Sequence, residues 1–245
     1  MKQYEAVIRV MEENGGYATL GFLYQEALKI PNVKWGTKTP FASIRRIVQD
    51  KRFFFKIKPG LWALKSYANR LPDNLLSLIE EDRKEKLEGQ FTHSYFQGLV
   101  VEIGNLKGFL TYVPTQDQNK KFLNKNLGEV IKLKTMLEFT YNSVLEKVKS
   151  IDVWWFNERN FPAYVFEIEH TSDFRNALIK FLELQDFKAE MVIVSSEKRK
   201  NEFVSRIKFT SFAPIKDRVI YMTYDYISQW HSKLNELILT EKIIS

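Results

Sequence analysis

At 245 residues, 44% hydrophobic and 27% charged, the chain has ordinary globular composition, with enough apolar material for one large domain or two modest ones. It contains no cysteine, which excludes disulfides, thiolate zinc sites and cysteine nucleophiles. The net charge of +7 is confined to the first quarter: residues 1–67 carry twelve Lys/Arg against five Asp/Glu, whereas residues 68–245 carry twenty-five of each. A compact basic unit joined to a neutral body is the expected footprint of a module that meets a polyanion. The N-terminal stretch has no long apolar core and no apolar run approaches the roughly 20 residues of a membrane span, so an unexported, cytoplasmic protein with no membrane partner is expected.

In chain order, Tyr4, Val7, Ile8 and Met11 fall at helical spacing and Asn14-Gly15-Gly16 is a stop, which predicts a first helix over 3–13. A second helix is expected over about 20–29. Thr39 is a natural N-cap and Pro40 suits the first helical position, so a third helix should run from about 40 to 50. Phe41, Ile44, Ile47 and Val48 form its apolar stripe, leaving Ser43, Arg45, Arg46 and Gln49 outward or at the flank. RFFFKIK and LWALK flank Pro59-Gly60 and predict a two-stranded wing. Three helices followed by such a hairpin form a winged-helix arrangement, whose third helix commonly enters the major groove. Arg46 and Gln49 are candidates for base edges, and Lys38, Lys56 and Lys58 for phosphates.

This segment resembles the HARE-type helix-turn-helix, a winged-helix module of restriction-related and chromatin-associated proteins. The matching residues are Gly36-Thr37-Lys38-Thr39-Pro40, then Ser43, Ile44 and Arg45, then Arg52-Phe53 and the Pro59-Gly60-Leu61-Trp62-Ala63-Leu64 wing. The resemblance spans 1–67 and implies DNA contact. Residues 68–90 predict a connecting helix, opened by Pro72-Asp73 and ended at Gly89.

The second unit, 91–245, begins with a helix over 93–108 whose end is signalled by Gly104. Strands are expected at 109–114, 150–156, 163–169, 191–196 and 218–223, with helices at about 127–137 and 174–185, Thr171 being the expected N-cap of the latter. The order predicts a mixed α/β sandwich.

Within AYVFEIEHT (163–171), Glu167 and Glu169 share one face of an otherwise apolar strand. Two like charges on a half-buried surface need a cation or a metal ion to offset their repulsion. Asp152 heads the preceding strand, and adjacent strands lie about 4.8 Å apart, so the three acids can meet at one sheet edge and bind a hard divalent cation. His170 should point away from Glu169 and suits packing or a phosphate contact.

The D…ExE pattern resembles the PD-(D/E)XK nuclease superfamily, with Asp152 and Glu167 at the metal-binding positions and Glu169 in the place of the usual lysine. Ile151 replaces the proline. The resemblance implies Mg²⁺, with Mn²⁺ as a substitute, and a restriction-endonuclease-like fold, so the fold class expected for the whole chain is α/β (α+β), an N-terminal winged helix followed by a mixed-sheet α/β/α domain. Glu102 is a fourth catalytic candidate, because several such enzymes add a glutamate from the first helix. The wider run from Ile151 to Phe174, including His170 and Thr171, is similar to a group of nucleases in which such an acidic segment follows a winged helix. Lys180, Lys188 and Lys198 are equal candidates for the missing positive charge. The expected function is a metal-dependent endonuclease of restriction type acting on double-stranded DNA, a requirement for modified DNA falling within it. The alternatives are a non-catalytic DNA-binding regulator and a docking module on a degenerate nuclease fold. A homodimer is expected if both strands of a palindrome are cut in one binding event.

Overall fold

A computed structural model of the chain describes residues 1–36, 38–76 and 85–244. The chain divides into two compact units, one of residues 1–88 with 228–245 and one of residues 89–227.

The first unit contains α1 (Gln3–Glu13), β1 (Tyr17–Thr19), α2 (Leu20–Ala27), α3 (Phe41–Ile47), β2 (Phe54–Lys58), β3 (Leu61–Leu64) and the short α4 (Asp73–Leu76). Its sheet is antiparallel in the order β1-β3-β2. β1 was not anticipated, because three buried residues are too few to show alternation. The β2–β3 hairpin turns at Pro59-Gly60, where φ of +77° requires the glycine. Thr39 does not cap α3: Pro40 stands at the cap position without a side-chain hydrogen bond, and the helix starts one residue later than expected. The core joins Val7, Val10 and Met11 of α1 with Leu23 and Tyr24 of α2, Phe41 and Ile44 of α3, and Phe54 and Leu64 of the sheet.

Residues 228–245 also belong to this unit, whereas the sequence partition at 91 assigned them to the second. Gln25 donates to Asn235 at 2.6 Å, and Ser228 Oγ donates to the Pro59 carbonyl at 2.8 Å. Gly21 permits close approach, since a Cβ there would lie 2.7 Å from atoms of His231 and Asn235.

The second unit follows the order α5 (Glu85–Leu106), β4 (Leu110–Tyr112), β5 (Lys121–Phe122), β6 (Lys125–Asn126), α6 (Leu127–Val130), α7 (Asn142–Val148), β7 (Val153–Phe156), β8 (Pro162–Ile168), α8 (Phe174–Leu182), β9 (Glu190–Ser195), α9 (Lys200–Ile207), β10 (Val219–Thr223) and α10 (Tyr224–Ile244), the last crossing into the first unit. Five strands form one mixed sheet, β10-β9-β8-β7-β4, in which β10, β9 and β8 are parallel and β7 and β4 antiparallel. Trp154, Phe156 and Val165 face Ala177, Leu178 and Phe181 of α8 and Phe203 of α9, forming the main core. Trp155 faces the other side, where α5 packs: a Cβ on Gly104 would lie 2.5 Å from its Nε1. The mixed α/β class expected from the sequence is what the chain adopts.

Several boundaries differ from expectation. Neither Gly89 nor Gly104 ends a helix; α5 runs through both and stops before Gly108, at φ +84°. Gly104 is a packing glycine, which a stop signal read from sequence alone cannot distinguish. The expected helix over 127–137 is only one turn, because the Lys132 and Leu133 amides donate to the Thr111 carbonyl of β4. Residues 77–84 of the expected connecting helix lie outside the described residues. Among the described residues, no helix is long and apolar enough to cross a membrane.

Candidate active site

The antiparallel register pairs Val153 with Phe166, so Asp152, one residue earlier, stands opposite Glu167. Directly opposed side chains have Cβ atoms about 5 Å apart. Alternation from Val165 places Glu167 and Glu169 on the α8 side of the sheet, where Glu167 is 3% and Glu169 5% exposed.

Each acid already has protein partners. Asp152 Oδ2 accepts the Ile168 amide at 2.7 Å and lies 3.1 Å from His93 Nε2 on α5. Burial alone pushes the Asp152 carboxyl up, but the His93 charge and hydrogen bond, the Ile168 amide and Lys180 outweigh it, and its pKa is held below the usual value. For His93 burial opposes the charge, yet the Asp152 carboxylate beside it raises the imidazole pKa overall. Glu167 is different: burial and the neighbouring Asp152 charge push it well above the ordinary carboxylate range, against the pull of Lys180. Lys180 Nζ, from α8, lies 2.5 Å from Glu167 Oε1 and 3.3 Å from the Ser150 carbonyl. Lys180 and Glu167 thus form a close, buried charge pair. Glu169 is raised by burial, partly relieved by the hydroxyl of Ser172, which donates to its carboxylate.

Of the three candidate lysines, Lys180 is the one paired with Glu167, a cation where the sequence invited a metal. Among the described residues, no three His, Asp or Glu side chains are grouped closely enough to hold a metal ion by themselves. The carboxylates that remain for one are Asp152, whose Oδ1 accepts no hydrogen bond among the described residues, and Glu167, which Lys180 meets through Oε1. Two hard carboxylates with the remaining positions filled by water suit Mg²⁺, which is commonly held by one or two carboxylates. Glu169, engaged by Ser172, is outside that pair.

Other expected residues are placed differently. Glu102 is half-buried on α5, nine residues from His93, which is about 13 Å along the axis and on the opposite side of the helix. His93, which no motif pointed to, is the α5 residue that reaches Asp152; the only signal was its position four residues before Gln97, on the same helix face. His170 is half-buried with Nδ1 3.5 Å from the Tyr224 hydroxyl, in keeping with a packing role. Thr171 is exposed and does not cap α8; Asp173 does, accepting the Arg175 amide at 3.0 Å. The carbonyl of Glu169 accepts from Ser195, Arg199 and Tyr224, which pins the backbone just beyond β8.

In the first unit, Arg46 and Gln49 are exposed and line a groove of about 460 Å³ with Tyr4, Ile47 and Asp50. Lys38 and Lys56 are exposed, and Ser43 and Lys58 half-exposed. Arg45 is engaged internally: its guanidinium pairs with Glu236 at 2.6 Å and donates to the Tyr24 hydroxyl at 3.1 Å. It ties α10 to α2 and α3.

The family model described as the type II restriction enzyme NmeDI C-terminal domain matches residues 71–243, more than half of the chain. The type II restriction enzyme NmeDI of Neisseria meningitidis serogroup C is 20% identical over 188 residues, covering 73% of this chain and 53% of its own. The chain therefore spans about half the length of that curated relative. No solved structure matches. Asp152, Glu167, Lys180 and His93 all lie within the matched segment, whereas α1 to β3 precede it. On the extent of that match, the chain belongs to the family of the type II restriction enzyme NmeDI C-terminal domain.

Proposed function

We propose that the chain is a Mg²⁺-dependent endonuclease of the PD-(D/E)XK kind that hydrolyses phosphodiester bonds in double-stranded DNA, in a restriction-type defence role. The observation that carries this reading is the juxtaposition of Asp152, Glu167 and Lys180 at one end of the β7–β8 pair, in a chain of a restriction-enzyme family. Asp152 and Glu167 would hold the cation. When bound, Mg²⁺ supplies charge neutralisation at the scissile phosphate and acidifies a water.

The chain's own residues do the rest. His93 and the Ile168 amide keep Asp152 ionised and oriented. The Lys180 ammonium, on an α8 side chain 21% exposed, orients the attacking water and stabilises charge on a phosphate oxygen. Water adds to phosphorus in line with the ester oxygen that leaves, and that oxygen departs with a proton. Lys180 stands in from a helix for the lysine that the strand lacks at Glu169.

We further read the first unit as a winged helix that contacts DNA through Arg46 and Gln49 on α3, with Lys38, Lys56 and Lys58 at phosphates. Arg46→Ala and Gln49→Ala are each expected to weaken specific DNA binding about 5–150-fold, the range of one bidentate base contact. Lys38→Ala should instead lower affinity uniformly across sequences and reduce the salt slope by about 1. Arg45→Ala should lower thermal stability and leave the salt slope unchanged, because its partners are Glu236 and Tyr24. Fluorescence anisotropy over a salt series with duplex DNA separates the three. A palindromic site cut on both strands would call for a homodimer.

One observation favours a non-catalytic DNA-binding regulator: all three acids are already compensated by His93, Lys180 and Ser172. Incubating methylated and unmethylated plasmid and phage DNA with the protein, in Mg²⁺ and in chelator, decides between them. Discrete fragments formed only with metal support the nuclease. Intact DNA on every substrate, with salt-dependent binding retained, supports the regulator.

A further inference from the structure

Behind Asp152 lies a buried polar chain that the proposed chemistry does not use. Gln97, on α5, is fully buried, and its amide nitrogen donates to the Asp152 carbonyl at 2.8 Å and to Asp117 Oδ2 at 2.9 Å. Both partners are acceptors, so the orientation of the amide is unambiguous, and both of its donors are committed. Asp117 is 5% exposed, and its other oxygen pairs with Lys120 at 2.6 Å, the lysine side chain being 44% exposed. The chain therefore runs from a surface lysine through a buried carboxylate and a buried amide to the backbone of Asp152. The Gln97 carbonyl oxygen is buried with no hydrogen-bond partner among the described residues, an arrangement that burial alone disfavours.

Asp152 precedes β7, where the ladder no longer holds its backbone: the paired residues begin at Val153. Its carboxylate is fixed by His93 and the Ile168 amide through Oδ2, and its main chain by Gln97. Two independent anchors, one on the side chain and one on the carbonyl, determine where Oδ1 lies relative to Glu167.

We propose that Gln97, braced by Asp117 and Lys120, is a positioning residue that sets the Asp152 carboxylate against Glu167. This deepens, and rests on, the reading of Asp152 and Glu167 as the cation-holding pair. Gln97 acts on Asp152 from behind and does not touch substrate.

The test compares wild type, Gln97→Leu, Asp117→Asn and Asp117→Leu by three readouts: DNA cleavage, Mn²⁺ affinity by electron paramagnetic resonance, and hydrogen exchange of the Ile168 amide in the metal-free protein. Gln97→Leu is expected to lower kcat tenfold or more with the KM for DNA within twofold, to weaken Mn²⁺ binding about fivefold and to speed Ile168 exchange. Asp117→Asn keeps an acceptor for the amide and should stay within threefold of wild type in all three, whereas Asp117→Leu should follow Gln97→Leu. A wild type that cleaves, with Gln97→Leu folded and unchanged in kcat, Mn²⁺ affinity and exchange, overturns the positioning role and leaves the nuclease reading intact. If Gln97→Leu does not fold, Asp117→Leu against Asp117→Asn decides: equal values in the two overturn the proposal. A wild type that neither cleaves nor binds Mn²⁺ overturns the nuclease reading and this proposal with it.

Discussion

Glu167→Gln is expected to abolish cleavage and, at the same time, to make the protein more stable at alkaline pH. Loss of one of the two carboxylates proposed to hold the cation should lower kcat on the order of 10³-fold or more, equivalent to about 4 kcal/mol of transition-state stabilisation. The stability gain follows from the sign of the Glu167 shift. Burial and Asp152 raise its folded pKa well above the usual 4.5, so over the interval between the two values the folded protein retains a proton that the unfolded chain has released. Stability contributed by this group therefore falls as pH rises from about 4.5 through the folded pKa. Glutamine carries no titrating proton and removes that loss. Thermal melts should show a higher Tm for Glu167→Gln than for wild type at pH 8, with the gap closing as pH falls toward 4.5. Asp152, shifted the opposite way, loses its contribution only as pH falls below 3.8 through its lowered folded pKa, so the two effects occupy separate windows. A wild type more stable than Glu167→Gln at pH 8 would contradict this account of the site as held in place against its own electrostatics.

Lys180→Met should harm both activity and stability. Removing the ammonium leaves Glu167, 3% exposed, beside Asp152 with no cation at 2.5 Å. Breaking a buried pair from one side costs about 3 kcal/mol, which for a chain of this length lowers Tm by roughly 6–12 °C. Cleavage should fall about 10²–10³-fold, the usual consequence of deleting a group that stabilises developing charge. The double variant Glu167→Gln/Lys180→Met is the sharper test. It should regain most of the stability lost by Lys180→Met, since the carboxylate that Lys180 directly pairs with is gone, and regain none of the cleavage. Stability losses that simply add in the double variant would mean that Lys180 and Glu167 are not coupled. Lys188→Met and Lys198→Met serve as controls; the partners of the three acids are His93, the Ile168 amide, Lys180 and Ser172, and both variants should cleave like wild type.

Local periodicity carried most of the element assignments. Apolar spacing of 3.6 located α1 and α8, and short apolar, β-prone runs located β7, β8 and β9 with their chain order. The strand period of two placed Glu167 and Glu169 on one face, and the strand-to-strand step brought Asp152 opposite Glu167. Glycine was the weak signal: Asn14-Gly15-Gly16 ended a helix, while Gly104 lay inside one because Trp155 packs against it.

By itself, then, the sequence determined the mixed α/β class, the basic N-terminal unit and the acidic pair on β8, since each depends on residues within a strand, a helix or a run of charge. Only the tertiary structure decided what compensates that pair. Lys180 lies thirteen residues beyond Glu167 on a helix folded back over the sheet, and His93 lies 59 residues before Asp152. Arg45 was outward by its helix phase, yet Glu236, 191 residues away, claims it. Helix and strand periods describe which face a side chain takes; the partner it meets there is set by how separate elements pack, which no local spacing encodes.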